Sequence, residues 1–152
     1  MNVGLHQRVD EIDWQAYSTA YGRADKVPDQ LKRLASDDFA TAMSASHDLW
    51  CGLCHQHAYV SSAALPAYPF LLEVLDSANE QLTVEILDIL AGFAKCSALG
   101  LGDVPSPHQW VQHLRDKLLE QLPLFKELTQ HTNEEIAGFA ERIVEDITTD
   151  VA

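Results

Sequence analysis

Cysteine and histidine crowd one short stretch of the chain: His47, Cys51, Cys54, His55 and His57. Within it, Cys51-Gly52-Leu53-Cys54-His55 has the CxxCH spacing through which two thiols and an imidazole hold a c-type haem. His47 and Cys51 stand four residues apart and share a face if the segment is helical. All five side chains are soft or imidazole donors of the kind zinc accepts. The CxxC pair alone also permits thiol–disulfide chemistry.

Neighbouring residues argue against each of these chemistries. Covalent haem of this type is fitted after export, and the opening Met1-Asn2-Val3-Gly4-Leu5-His6-Gln7-Arg8 has neither a basic n-region nor an apolar h-region. Structural zinc sites draw ligands from two separated knuckles, whereas these five donors share one segment. Cys96, His108 and His113 complete a set only if folding brings them near. A reactive CxxC usually opens a helix, where the dipole favours a thiolate; this one closes an amphipathic helix whose Trp50 and Leu53 read as core. The reading preferred here is a pair of small thiols packed as modest hydrophobes. His55 and Gln56 then hydrogen-bond the backbone of the turn between two repeats. A metal- or haem-binding redox protein stands as the alternative; the preferred reading needs no cofactor.

No other catalytic arrangement is visible. Ser44, Ser46, Ser61 and Ser62 lie on helices or at a cap, not in a glycine-flanked strand-to-helix elbow. The glycines are scattered and form no phosphate cradle. A nucleic-acid enzyme needs a basic concave face with stacking aromatics, and this chain has 10 Lys and Arg against 23 Asp and Glu, a formal net charge of −13. Such a surface repels phosphate backbones and anionic lipid and steers basic partners inward. Nucleic acid and membrane are therefore not expected partners.

The elements that must position these residues follow from length and pattern. A chain of 152 residues, 47% hydrophobic and 22% charged, suits one folded domain. Three cysteines cannot all pair, which fits a reducing, cytoplasmic setting. Three segments share a frame: Val27-Pro28, Tyr68-Pro69 and Leu122-Pro123 each precede, by ten residues from the proline, a helix-capping residue, namely Asp38, Asn79 and Asn133. Proline suits a first helical turn, and Asp or Asn accepts from the free N–H groups that open a helix. After Asn79, Leu82, Ile86, Ile89 and Leu90 fall on one helical face; after Asn133, Ile136, Ala140, Ile143 and Val144 do the same. Helices are predicted near 8–21, 27–35, 38–54, 62–76, 79–97, 107–121, 123–130 and 133–148. Pro66 and Pro69 are expected to bend or break the fourth. The glycine- and proline-rich stretch 98–107 reads as a loop. Trp14, Tyr17 and Tyr21, three and four residues apart, read as part of an N-terminal capping helix rather than as a ligand cage.

Helix pairs of this length, with proline in the first helix and Asp or Asn at the turn, resemble HEAT-type repeats. More narrowly, Asp13-Trp14, Tyr21-Gly22, Val27-Pro28, Leu49-Trp50, Cys54-His55-Gln56, Tyr59 and Ala67-Tyr68-Pro69-Phe70-Leu71-Leu72 are similar to a group of short bacterial HEAT-like proteins. The likeness spans about Asp13 to Leu75, and the glycine usual after His-Gln is His57 here. The resemblance implies an all-α fold: a short α-solenoid of about three HEAT-like helix pairs, with repeats near 27–54, 62–97 and 123–148. It implies protein binding and no reaction.

In that architecture the second helix of each pair lines one side. Asp48, Glu85, Asp88, Glu141 and Glu145 are polar positions there and form the candidate partner-binding ridge, with Lys95 and Arg142 as isolated cations. The loop Leu99–Val104 is a candidate apolar anchor, or a segment tucked under the helix that follows. The expected function is a non-enzymatic binding module, of immunity-protein or antitoxin type, that neutralises a basic toxin through its acidic face.

Overall fold

A computed structural model describes residues 3–98 and 109–149. Among these residues the helices are α1 (Val3–Asp10), α2 (Val27–Leu34), α3 (Phe39–Cys54), α4 (Ala64–Ser77), α5 (Glu80–Ala98), α6 (Gln109–Glu120), α7 (Leu122–Leu128) and α8 (Glu134–Thr148). The loop segment Leu99–Val104 lies outside the described residues. No helix among those described is long and apolar enough to cross a membrane.

The three capping residues do what their chemistry predicts. The Asp38 carboxylate accepts from the Thr41 N–H at 3.1 Å, and Asn79 Oδ1 accepts from the Leu82 N–H at 2.9 Å. Asn133 Oδ1 takes two, from Glu135 and Ile136, at 2.9 and 3.2 Å. Pro28 and Pro123 sit in the first turns of α2 and α7. The break expected at Pro66 and Pro69 does not occur, and α4 is one helix. Pro66 falls in its first turn, where no N–H is missed. Pro69 forfeits one backbone bond, and the burial of Ala67, Tyr68, Phe70, Leu71, Val74 and Leu75 along the same helix outweighs it.

α2 packs on α3, α4 on α5, and α7 on α8. The second members also lie against one another, α3 on α5 and α5 on α8. In the other row, α1 touches α2, α2 touches α4, and α4 touches α6. The regions headed by Pro28 and Pro69 thus adjoin, while α6, a helix outside the pairing frame, stands between α4 and α7. The apolar stripes close one core: Leu31, Leu34, Leu49, Leu53, Leu71, Ile86, Leu90, Phe93, Phe125 and Ile143 are all fully buried. Arg115 of α6 is buried too, and its Nη2 donates to the carbonyls of Asp146, Ile147 and Thr149 at 3.4–3.5 Å. A guanidinium there meets the unpaired carbonyls that end α8.

The N-terminus departs from expectation. The helix predicted over 8–21 is replaced by α1, a 3₁₀ turn at Trp14–Ala16, and a hairpin of β1 (Ser18–Thr19) and β2 (Gly22–Arg23). Gly22, at φ 113°, supplies the conformation the hairpin turn requires. Acidic Asp10, Glu11 and Asp13 oppose the dipole at the end of α1 and favour its stopping there. The aromatic stripe is consequently split. Trp14 is buried and donates its indole N–H to the Val9 carbonyl at 2.8 Å, whereas Tyr21 is 70% exposed. α1 still covers α2, held by Lys32 to Asp10, and reaches α4 through Arg8 to Glu73.

Candidate functional site

α3 ends in a turn where three successive non-glycine residues are left-handed: His55 at φ 39°, Gln56 at 55° and His57 at 70°. Each such residue costs of order 1 kcal/mol or more, so the surroundings must hold the turn in place. They do so from both sides. The Ser61 N–H donates to the Leu53 carbonyl at 2.8 Å, and the hairpin bonds to the end of α3 through Ala20 N–H to Gly52 O, also 2.8 Å. On α5, Gly92 leaves the space: a Cβ there would lie 2.7 Å from Cys54 Sγ and 2.9 Å from His57 Cδ2. The φ of His57 is one that glycine adopts freely.

The turn sends its side chains apart. The His57 imidazole reaches α5, with Nε2 2.8 Å from both the Asp88 carboxylate and the Asp88 carbonyl. Gln56 turns back toward α3, its amide 3.9 Å from Cys51 Sγ. His55 lies between Tyr59 and Tyr21, ring centroids at 5.1 and 6.3 Å, and its buried Nδ1 has no hydrogen-bond partner. Neither His55 nor Gln56 therefore braces the backbone as the sequence suggested. The five candidate metal ligands separate in the same way. His47 and Cys51 face outward together, with Nε2 and Sγ 3.7 Å apart. Cys54 is wholly buried, its thiol donating to the Trp50 carbonyl at 3.3 Å and pushed up to about 12 chiefly by burial. Among the described residues no three His, Cys, Asp or Glu side chains converge as a metal site. A haem linked through both thiols conflicts with the burial of Cys54.

The five acidic candidates also divide. Asp48 is bound by Arg33 at 3.1 Å and faces α2 rather than α5. Asp88 holds His57. Glu145 and Asp146 of α8 border a pocket of about 300 Å³ with His57, Ala91, Lys95 and Arg142, so the two cations isolated in sequence share a pocket with these acids. Burial, then Glu145, raises the Asp146 carboxyl above its ordinary range. Glu141 is exposed on α8. Glu85 is half-buried, and its carboxyl is pushed up by burial first, then by Asp88 and Glu135, against a smaller pull from His47. No Lys or Arg among the described residues forms an ion pair with Glu85 or Glu135. Sequence reasoning missed Glu135, which is a first-turn residue of α8 and reads as ordinary dipole compensation.

A raised carboxyl binds its proton more tightly in the folded chain. Its contribution to stability is whole below the unfolded pKa and is lost as pH rises through the folded one. Glu85→Gln is therefore expected to stabilise the chain at about pH 7 and to lose that advantage by about pH 4, read by urea unfolding at both. An equal gain at both pH values contradicts the assignment.

No protein-family model, curated protein or solved structure matches this chain. The geometry alone bears on its function.

Proposed function

We propose that the chain is a non-enzymatic binding module, a short HEAT-like solenoid whose α3–α5–α8 side receives a basic protein. The observation that supports this is the cluster of Glu85, Asp88 and Glu135 on adjacent helices, with no cation paired to Glu85 or Glu135 among the described residues. Like charges held together destabilise the free chain, and a cationic surface laid across them relieves the repulsion. The net charge of −13 extends the same attraction outward and speeds encounter more than it tightens the final complex. An immunity protein or antitoxin that blocks a basic toxin is the concrete form of this reading, in a cytoplasmic setting.

The test begins with retrieval at low salt from the native host, identification of the bound protein, and association kinetics with that protein purified. A basic partner, one-to-one stoichiometry, and a rate lowered by about tenfold in Glu85→Lys/Glu135→Lys or by added salt are expected. A rate indifferent to both changes, an acidic partner, or no stoichiometric partner overturns the proposal.

A further inference from the structure

On the opposite flank of α3 the β1–β2 hairpin, α2 and α3 enclose a cleft of about 880 Å³. Cys51 is on its wall, half-buried, and is not isolated. His47 Nε2 lies 3.7 Å from its sulfur and the Gln56 amide 3.9 Å away, and Tyr21 of the hairpin turn lines the same cleft. The cleft is zwitterionic. Arg33 is neutralised by Asp29 and Asp48 at 2.9 and 3.1 Å. Arg23, Lys26 and Asp25 also line it and form no ion pair among the described residues. In a chain this acidic, two unpaired cations beside a thiol are a local exception.

We propose that Cys51 is a thiol–disulfide exchange site for a small zwitterionic peptide disulfide, with His47 as proton acceptor and the hairpin cleft as the seat. The thiol gives its proton to His47 Nε2, and the sulfur attacks one sulfur of the disulfide. The Cys51–S–S bond forms as the reagent's S–S bond breaks, and the departing thiolate takes the proton from the imidazolium. One disulfide is consumed and one is made, so no other oxidant enters. Arg23 and Lys26 receive the carboxylates of the peptide, and Asp25 its ammonium. The Gln56 amide donates to the sulfur as its proton leaves. The other thiols do not compete: Cys54 and Cys96 are fully buried, and burial pushes them up to about 12 and about 11. Of the groups used here, His47 is the one that also acts on Glu85, so the two proposals share that residue and no other reacting group.

The experiment exposes the reduced full-length chain to oxidised glutathione or to cystamine, a dicationic disulfide, and follows adducts by intact mass. One adduct per chain is expected, absent in Cys51→Ser. His47→Gln, with helicity checked by circular dichroism because the residue is exposed, slows both reagents by about tenfold. Arg23→Ala/Lys26→Ala slows oxidised glutathione several-fold and leaves cystamine as fast or faster. Adducts on Cys51→Ser at the wild-type rate, or His47→Gln reacting at the wild-type rate, overturn the exchange site. Equal slowing of both reagents by Arg23→Ala/Lys26→Ala overturns the zwitterion seat.

Discussion

Replacing Phe93 with alanine is expected to remove about 3–5 kcal/mol from the folded state, the range for deleting a buried aromatic ring. Phe93 has no solvent exposure, and its helix is the one against which α3, α4, α6 and α8 all pack. A void at that junction cannot be filled by the movement of one neighbour, because each is anchored to α5 along its own apolar face. Urea unfolding of Phe93→Ala beside Leu119→Ala measures the effect. Leu119 is 40% exposed and its truncation is expected to change little. In thermal melts the Phe93 variant loses roughly 10 °C or more. A loss under about 1 kcal/mol means that α5 is not the organising helix.

Gly92→Ala is the smaller change in atoms and the more surprising in outcome. Alanine is the better helix former by about 1 kcal/mol, so propensity alone predicts a stabilised α5. The added methyl instead meets Cys54 Sγ at 2.7 Å and His57 Cδ2 at 2.9 Å. Neither obstacle is the loose end of a surface side chain: Cys54 is fixed in the core, and the His57 ring is pinned to Asp88. Overpacking of this kind costs about 1–3 kcal/mol, and the net result is a destabilised chain. The variant is also expected to disturb the left-handed turn, visible as a chemical-shift change of the His57 ring. Stability at or above wild type contradicts the close packing of α5 on that turn.

What the sequence revealed, and what it hid, has a common physical origin. Asp38, Asn79 and Asn133 act through bonds to N–H groups two or three residues on, so their roles are legible from local order alone. The apolar stripes of α5 and α8 likewise declare their buried faces by period. The hairpin was illegible for the opposite reason. Trp14, Tyr17 and Tyr21 satisfy helical spacing by accident, and only contacts with Gly52, Ser62 and Ala63, far along the chain, favour the bent route. The partners of two ridge acids were hidden because Arg33 reaches Asp48 from α2 and His57 reaches Asp88 from the turn after α3. The pairing of Cys51 with His47 was visible as an i, i+4 spacing. The cleft that makes it a site depends on the hairpin, which was not.

The central place of α5 also governs how the molecule comes apart. In a long repeat array each unit leans only on its neighbours, and ends can fray while the middle persists. Here one helix touches both other members of its row and two of the opposite one. α3, α4, α6 and α8 cannot separate without exposing α5, so its amide protons are expected to reach solvent only in the global transition, whereas α1, which packs on α2, is free to open first. The slowest-exchanging hydrogens are expected to gather along that single rod.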